Sequence, residues 1–170
     1  MDTPTTVEIS MDYYKQVLVI RQKYPDGKGG LCKTRKGKEI AQGAHGSLGV
    51  VLRNKFLLRE DHGDLDPVQG AWRSFKETPR PEAATHLAIP LTEPLKAWIL
   101  DLFTKIVVGV DTEEELIELQ KKADEAGIAN VLIEDSGLTE FHGVKTKTVL
   151  AIGPDTAEKI DKITSHLKLL

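Results

Sequence analysis

A chain of 170 residues suits one domain with a sizeable core, and its 40% hydrophobic and 29% charged content is ordinary for a soluble globular protein. No apolar run is long enough to span a bilayer, and a single cysteine, Cys32, excludes an internal disulfide. A net charge of -3 argues against nucleic acid as a partner of the whole surface. The charge is uneven, however: seven basic residues and one acid lie between Arg21 and Lys38, and seven acids and two lysines between Asp111 and Glu125. The acidic run reads as a solvated face and the basic run as a footprint for an anionic ligand.

In chain order, the N-terminal MDTPTTVEISMDYYK lacks the basic and apolar regions of a signal peptide, so a frayed leader and a cytoplasmic home are expected. Residues 16–20 (QVLVI) form a continuous β-branched run, as in a strand buried on both faces. After a basic, glycine-rich loop, KGKEIAQGAHGSLGVVLRNKFLL reads as a helix with Ile40, Ala44, Leu48, Val51 and Leu52 on one stripe. Its glycines at 43, 46 and 49 each cost about 1 kcal/mol of helix propensity against alanine, tolerable where the helix packs closely on a sheet or a ligand backbone approaches.

Residues 60–92 are rich in proline, glycine and acid and read as a long excursion with a short helix around Trp72 and Phe75. Residues 93–103 (EPLKAWILDLF) read as a helix with Leu95, Trp98, Ile99 and Leu102 on one face. KIVVGV at 105–110 is a strand. Asp111 and Thr112 then cap a helix with Glu114 and Glu115 at capping-box spacing, Leu116, Leu119, Ala123 and Ala126 facing inward, and Gly127 as its stop. NVLI (130–133) and TVLAI (148–152) are strands. Gly153 and Pro154 turn the chain into a last helix, DTAEKIDKITSHLKL, with Ile160, Ile163 and Leu167 inward. The expected fold is a single α/β domain over residues 1–170: a three-layer arrangement with a mixed four-stranded sheet and helices on both faces.

GKGGLCKT at 27–34 nearly spells a phosphate loop, but Cys32 stands where the second glycine must let phosphate approach the backbone. The five histidines, at 45, 62, 86, 142 and 166, show no zinc-type spacing, and no metal site is expected. His45 borders the predicted apolar stripe, which fits helix packing as well as chemistry. DSGLT at 135–139 follows the NVLI strand, where open α/β sheets bind ligands, although Asp, Ser and Gly also make ordinary turns.

Three pieces together resemble the archaeal and eukaryotic-type peptidyl-tRNA hydrolases, the second class of that activity. KGKEIAQGAHG is similar to the family's G-K-G-K-x-A-A-Q-x-x-H-A, matching at Lys36, Gly37, Lys38, Ala41, Gln42 and His45. LIEDSGLT is similar to L-I-x-D-A-G-x-T, matching at Asp135, Gly137 and Thr139. TVLAIGPDTAEKIDKITSHLKLL is similar to the family's closing segment. The chain departs from the pattern in a longer loop before Lys36, in Arg35 for a glycine, in Gly46 and Ser136 for alanines, in one extra residue between Thr139 and Thr148, and in an insert at about 57–92.

The resemblance implies hydrolysis of the ester joining a peptidyl group to the terminal ribose of tRNA, without a cofactor, in a homodimer. It implies a catalytic set of Lys38, Asp135, Thr139 and Thr148. Lys38 stabilises the oxyanion, Asp135 orients or deprotonates water, and the threonines bind the substrate or hold the aspartate. Lys33, Arg35 and Lys36 hold the tRNA backbone, with Gln42 and His45 lining the site. Two alternatives stay open from the residues alone: a non-catalytic RNA-binding adaptor on the same fold, and a nucleotide-binding enzyme using residues 27–34.

Overall fold

The computed structural model of the protein describes residues 13–53, 55–61, 64–67 and 85–170, and the side chains of all of these except 56–61 and 64–67. The elements in order are β1 (Tyr14–Arg21), β2 (Tyr24–Pro25), β3 (Leu31–Cys32), α1 (Lys36–Leu52), β4 (Phe56–Asp61), β5 (Asp64–Pro67), β6 (His86–Ala88), α2 (Glu93–Leu100), β7 (Thr104–Val110), α3 (Glu113–Glu125), β8 (Asn130–Asp135), β9 (Thr146–Thr156), α4 (Ala157–Thr164) and β10 (Lys168–Leu169).

The main sheet has five strands in the order β10-β7-β1-β9-β8, not the four expected. The extra strand comes from the C-terminus, where the predicted last helix stops at Thr164 and Lys168 and Leu169 pair with Gly109 and Val108. Helical spacing continues through Leu167, but the unpaired edge of β7 offers the chain backbone partners that periodicity does not register. β1 pairs with β7 in parallel and with β9 in antiparallel fashion, and β9 pairs with β8 in antiparallel fashion. β1, β7 and β8 therefore run the same way, and their carboxyl ends share one edge.

Val17 to Ile20 are all buried, as the continuous apolar run requires. Because side chains alternate along a strand, they divide between two clusters. Val17 and Val19, with Leu150 and Ile152, pack against Leu116, Leu119 and Ala123 of α3 and Ile160 and Ile163 of α4. Leu18 and Ala151 pack instead with Val50 of α1. The capping box at the start of α3 is made by Thr112 and Glu115, and Gly127 (φ +65°) ends that helix as its sequence predicts, although Ala126 is exposed.

Helix α1 departs from its predicted face. Its buried residues are Gln42, Gly43, Gly46 and Val50, whereas Ile40 is 72% and Leu48 58% exposed. The cause is the glycine ridge. A Cβ at Gly46 would stand 3.1 Å from Val149 Cγ1 and 3.4 Å from the Ala151 Cβ, so the helix lies nearer the sheet than larger residues permit. Buried Gln16 of β1 fixes this docking, accepting from Ser47 Oγ at 2.6 Å. The helix also ends at Leu52. Of the KFLL segment predicted as its last turn, residues 56–58 belong to β4, which pairs with β5 and β6 in a separate three-stranded sheet.

That small sheet lies where an irregular excursion is expected, and the short helix predicted around Trp72 and Phe75 falls outside the described residues. Helix α2 stops at Leu100. Leu95 and Trp98 are buried, but Ile99 is 43% and Leu102 74% exposed. No helix among the described residues is long and apolar enough to cross a membrane.

Candidate active site

The N-terminus of α1 reaches the edge where β8 ends, and this brings two distant motifs together. Lys38, in the first turn of α1, places Nζ 2.6 Å from Asp135 Oδ2 at the end of β8 and 3.1 Å from Thr139 Oγ1. Gln42, one turn further along the same face, donates from Nε2 to the same Oδ2 at 2.8 Å. The other carboxylate oxygen accepts the Gly137 N–H at 2.8 Å. The DSGLT segment is thus a turn and a site at once: one oxygen of Asp135 caps the turn and the other faces the cation.

These residues line an open cavity of about 500 Å³ with Arg35, Gly37, Ala41, His45 and Glu140. The Lys38 and Asp135 side chains are 14% and 12% exposed. Burial pushes the Asp135 carboxyl upward, but the hydrogen bonds from Lys38 and Gly137, the charge of Lys38 and the Gln42 amide outweigh it. The group therefore titrates below the usual carboxylate range. Lys38 Nζ also lies 5.6 Å from the centre of the Phe141 ring, which packs at 4.9 Å on buried Tyr24.

The predicted site residues separate into groups. Lys38, Asp135, Thr139, Gln42, His45 and Arg35 meet in the cavity. Thr148 is 1% exposed and lies behind Gln42, donating to its Oε1 at 2.7 Å. Lys33 and Lys36 are exposed outside the cavity lining. Glu140, absent from the sequence-derived set, pairs with Arg35 through Nε at 2.6 Å. Its only signal in the chain is its place next to Thr139.

The basic cluster is less free than its count suggests. Arg21 pairs with Glu113, Lys23 with Asp111, Arg35 with Glu140 and Lys38 with Asp135. Among the described residues, Lys28, Lys33 and Lys36 carry no acidic partner. The loop resembling a phosphate cradle is a hairpin in which Asp26 Oδ1 accepts the Lys28 and Gly30 N–H groups at 2.7 and 2.8 Å. The amides that would hold a phosphate are turned onto the protein's own carboxylate. Among the described residues no group of three or more His, Cys, Asp or Glu side chains converges as a metal site.

Residues 14–170 match the family Peptidyl-tRNA hydrolase PTH2. The chain is 36% identical over 157 residues to a peptidyl-tRNA hydrolase of Thermococcus onnurineus, covering 92% of this chain and 98% of that one. It is 33% identical over 156 residues to that of Methanothermobacter thermautotrophicus, covering 92% and 99%. With a probable peptidyl-tRNA hydrolase 2 of Drosophila melanogaster it shares 32% over 159 residues, 94% of this chain and 63% of the fly protein. With its Lys38–Asp135–Thr139 cluster built on the segments that carry the resemblance, this chain belongs to the PTH2 family of peptidyl-tRNA hydrolases.

Proposed function

We propose that this protein hydrolyses the ester bond of peptidyl-tRNA, releasing peptide and free tRNA by attack of water on the ester carbonyl. The observation that carries the reading is the convergence of Lys38, Asp135 and Thr139 at the mouth of one cavity. An ammonium has three N–H donors, and two of those on Lys38 go to Asp135 and Thr139. The third is available to the carbonyl oxygen and stabilises the oxyanion as it forms, with no reorganisation at the moment of reaction.

Asp135 holds that ammonium in place. Ionised throughout the neutral range, it accepts a hydrogen bond from the attacking water on its less-used oxygen. Thr139 is close enough to bind the substrate, whereas buried Thr148 acts from behind Gln42. Lys28 and Lys33, exposed on the segment before α1, and Lys36, exposed in its first turn, hold the tRNA backbone through phosphates, without reading sequence.

The same reading places the protein in the cytoplasm as a single domain with an insert at about 57–92. The division of β1 and β9 side chains between two clusters supports helices on both faces of a three-layer body. Two apolar hollows support a homodimer. One, of about 520 Å³, lies between α1 and β7 and is lined by Ile40, Ala44 and Leu170. The other, of about 350 Å³, lies between α1 and α2 and is lined by Leu48, Ile99 and Phe103. Lys105 lines both and Glu39 the larger, so the patch carries one charge of each sign beside its apolar surface, a composition that a self-complementary two-fold contact can pair. Turnover of peptidyl-tRNA by purified protein tests the main reading. Substrate still intact after prolonged incubation, with tRNA bound, would leave a binding module instead.

A further inference from the structure

We propose that Arg35, set in place by Glu140, binds the phosphate of the tRNA terminal nucleotide, the one nearest the ester. This rests on the hydrolase reading given above and names the part of the substrate that the rim of the cavity takes. Arg35 stands where the family pattern has glycine, and Glu140 lies in the segment that carries one extra residue. The fold brings these two departures together across 105 residues of chain. Arg35 Nε donates to Glu140 Oε1 at 2.6 Å, and both residues line the cavity that holds Lys38, Asp135 and Thr139.

The pair is asymmetric. The Glu140 side chain is 16% exposed and that of Arg35 80%. A carboxylate so far from water needs its partner, whereas the guanidinium stands in solvent. Only its Nε is committed. A guanidinium has five N–H donors, and among the described residues the donors on the two Nη groups have no partner. Together they form a planar fork, the geometry that a phosphate accepts in bidentate fashion. Glu140 is itself held. The next residue, Phe141, packs at 4.9 Å on buried Tyr24, and its carbonyl accepts the Val144 N–H at 2.8 Å. Gly143 N–H donates to Gly137 O at 2.9 Å, and Gly137, His142 and Gly143 all adopt positive φ, which folds the segment back on itself. The braced loop thus fixes the carboxylate, and the carboxylate fixes the guanidinium.

Arg35 precedes Lys38 by three residues, a separation of about 5 Å if counted as one turn of helix. In peptidyl-tRNA only the terminal ribose separates the ester from the nearest phosphate, so one cavity can hold both. With the carbonyl oxygen on Lys38 Nζ, the fork at the rim takes the 5′-phosphate of the terminal nucleotide. Such a contact reads no base and sets the register of the ester on Lys38. Two small esters test it: N-acetylphenylalanine on the 3′-hydroxyl of adenosine, and on that of adenosine 5′-monophosphate. Wild-type protein should show kcat/KM higher by about 10- to 100-fold on the phosphorylated ester, the range for charge-assisted hydrogen bonds. Arg35→Gly should bring that ratio close to one, and Glu140→Ala should lower it. Arg35→Lys, which keeps the charge without the fork, should fall between wild type and Arg35→Gly.

Each ratio is taken within one protein, so general damage to the site cancels. A ratio that Arg35→Gly leaves at the wild-type value overturns the proposal and reduces the ion pair to a staple between α1 and the loop. A ratio that rises in Glu140→Ala overturns the positioning role, because the carboxylate would then only repel phosphate. Binding is read separately, without turnover. In nitrogen NMR titrations, adenosine 5′-monophosphate should shift the Arg35 Nε–H signal and bind wild type more tightly than adenosine does, and Arg35→Gly should remove the difference. Equal binding of the two by wild type overturns the phosphate subsite. A protein that shows the difference yet leaves peptidyl-tRNA intact overturns the hydrolase reading alone.

Discussion

Lys38 and Asp135, 97 residues apart in the chain, meet at 2.6 Å with both side chains mostly buried. Breaking such a pair by removing one partner leaves the other charge uncompensated. Lys38→Met should lower kcat/KM by about 100- to 1000-fold, the usual loss for one oxyanion donor. Asp135→Ala should do comparable damage. Single-turnover cleavage of peptidyl-tRNA measures both, and a Lys38→Met protein with near-wild-type turnover would remove Lys38 from the chemistry.

The depressed titration of Asp135 has a definite sign for stability. The unfolded carboxyl, near the ordinary value of about 3.9, binds a proton more readily than the folded one, so stability rises with pH through that window. The contribution is complete above the unfolded value and is lost as pH falls through the folded one. Urea unfolding of wild type and Asp135→Asn between pH 3 and 7 should show a gap that is constant from about pH 5 upward and narrows in acid. A gap that widens in acid contradicts the assignment.

Gly46 is where α1 touches the sheet, with Val149 and Ala151 against it. Gly46→Val should destabilise the fold by about 1–3 kcal/mol through overpacking, outweighing any gain in helix propensity. A lower urea midpoint at unchanged m value is the expected readout.

For tRNA binding, replacing Lys28, Lys33 or Lys36 by alanine should each reduce the slope of log affinity against log salt by about 0.7–0.9. Lys23→Ala should change it little, because Lys23 is already paired with Asp111 at 2.6 Å. Equal effects from all four lysines would show that the ion pairs do not sort the cations.

If the apolar flank of α1 carries the homodimer, Ile40→Glu and Leu48→Glu should shift the protein to a monomer in sedimentation, with the helical circular dichroism retained. Both residues are more than half exposed, so neither change empties the core.

Much of the architecture was legible in the chain because it follows from local chemistry. The Val17–Ile20 run, the Thr112–Glu115 cap, the Gly127 stop and the inward Ile160 and Ile163 are set by residues close together in sequence. The segments around Lys38 and Asp135 were also recognisable as motifs. Tertiary contact decided the rest. Period alone put Ile40 and Leu48 of α1 inward, but close packing on β9 favours the smallest residues, so the glycines took the buried face. The terminal Lys168–Leu169 strand and β4 needed partner edges from elsewhere in the chain. Which cations are free depended on acids up to 105 residues away. That Thr148 faces an amide rather than a substrate depended on where a helix lies over a strand, a relation between backbones that no spacing along one chain encodes.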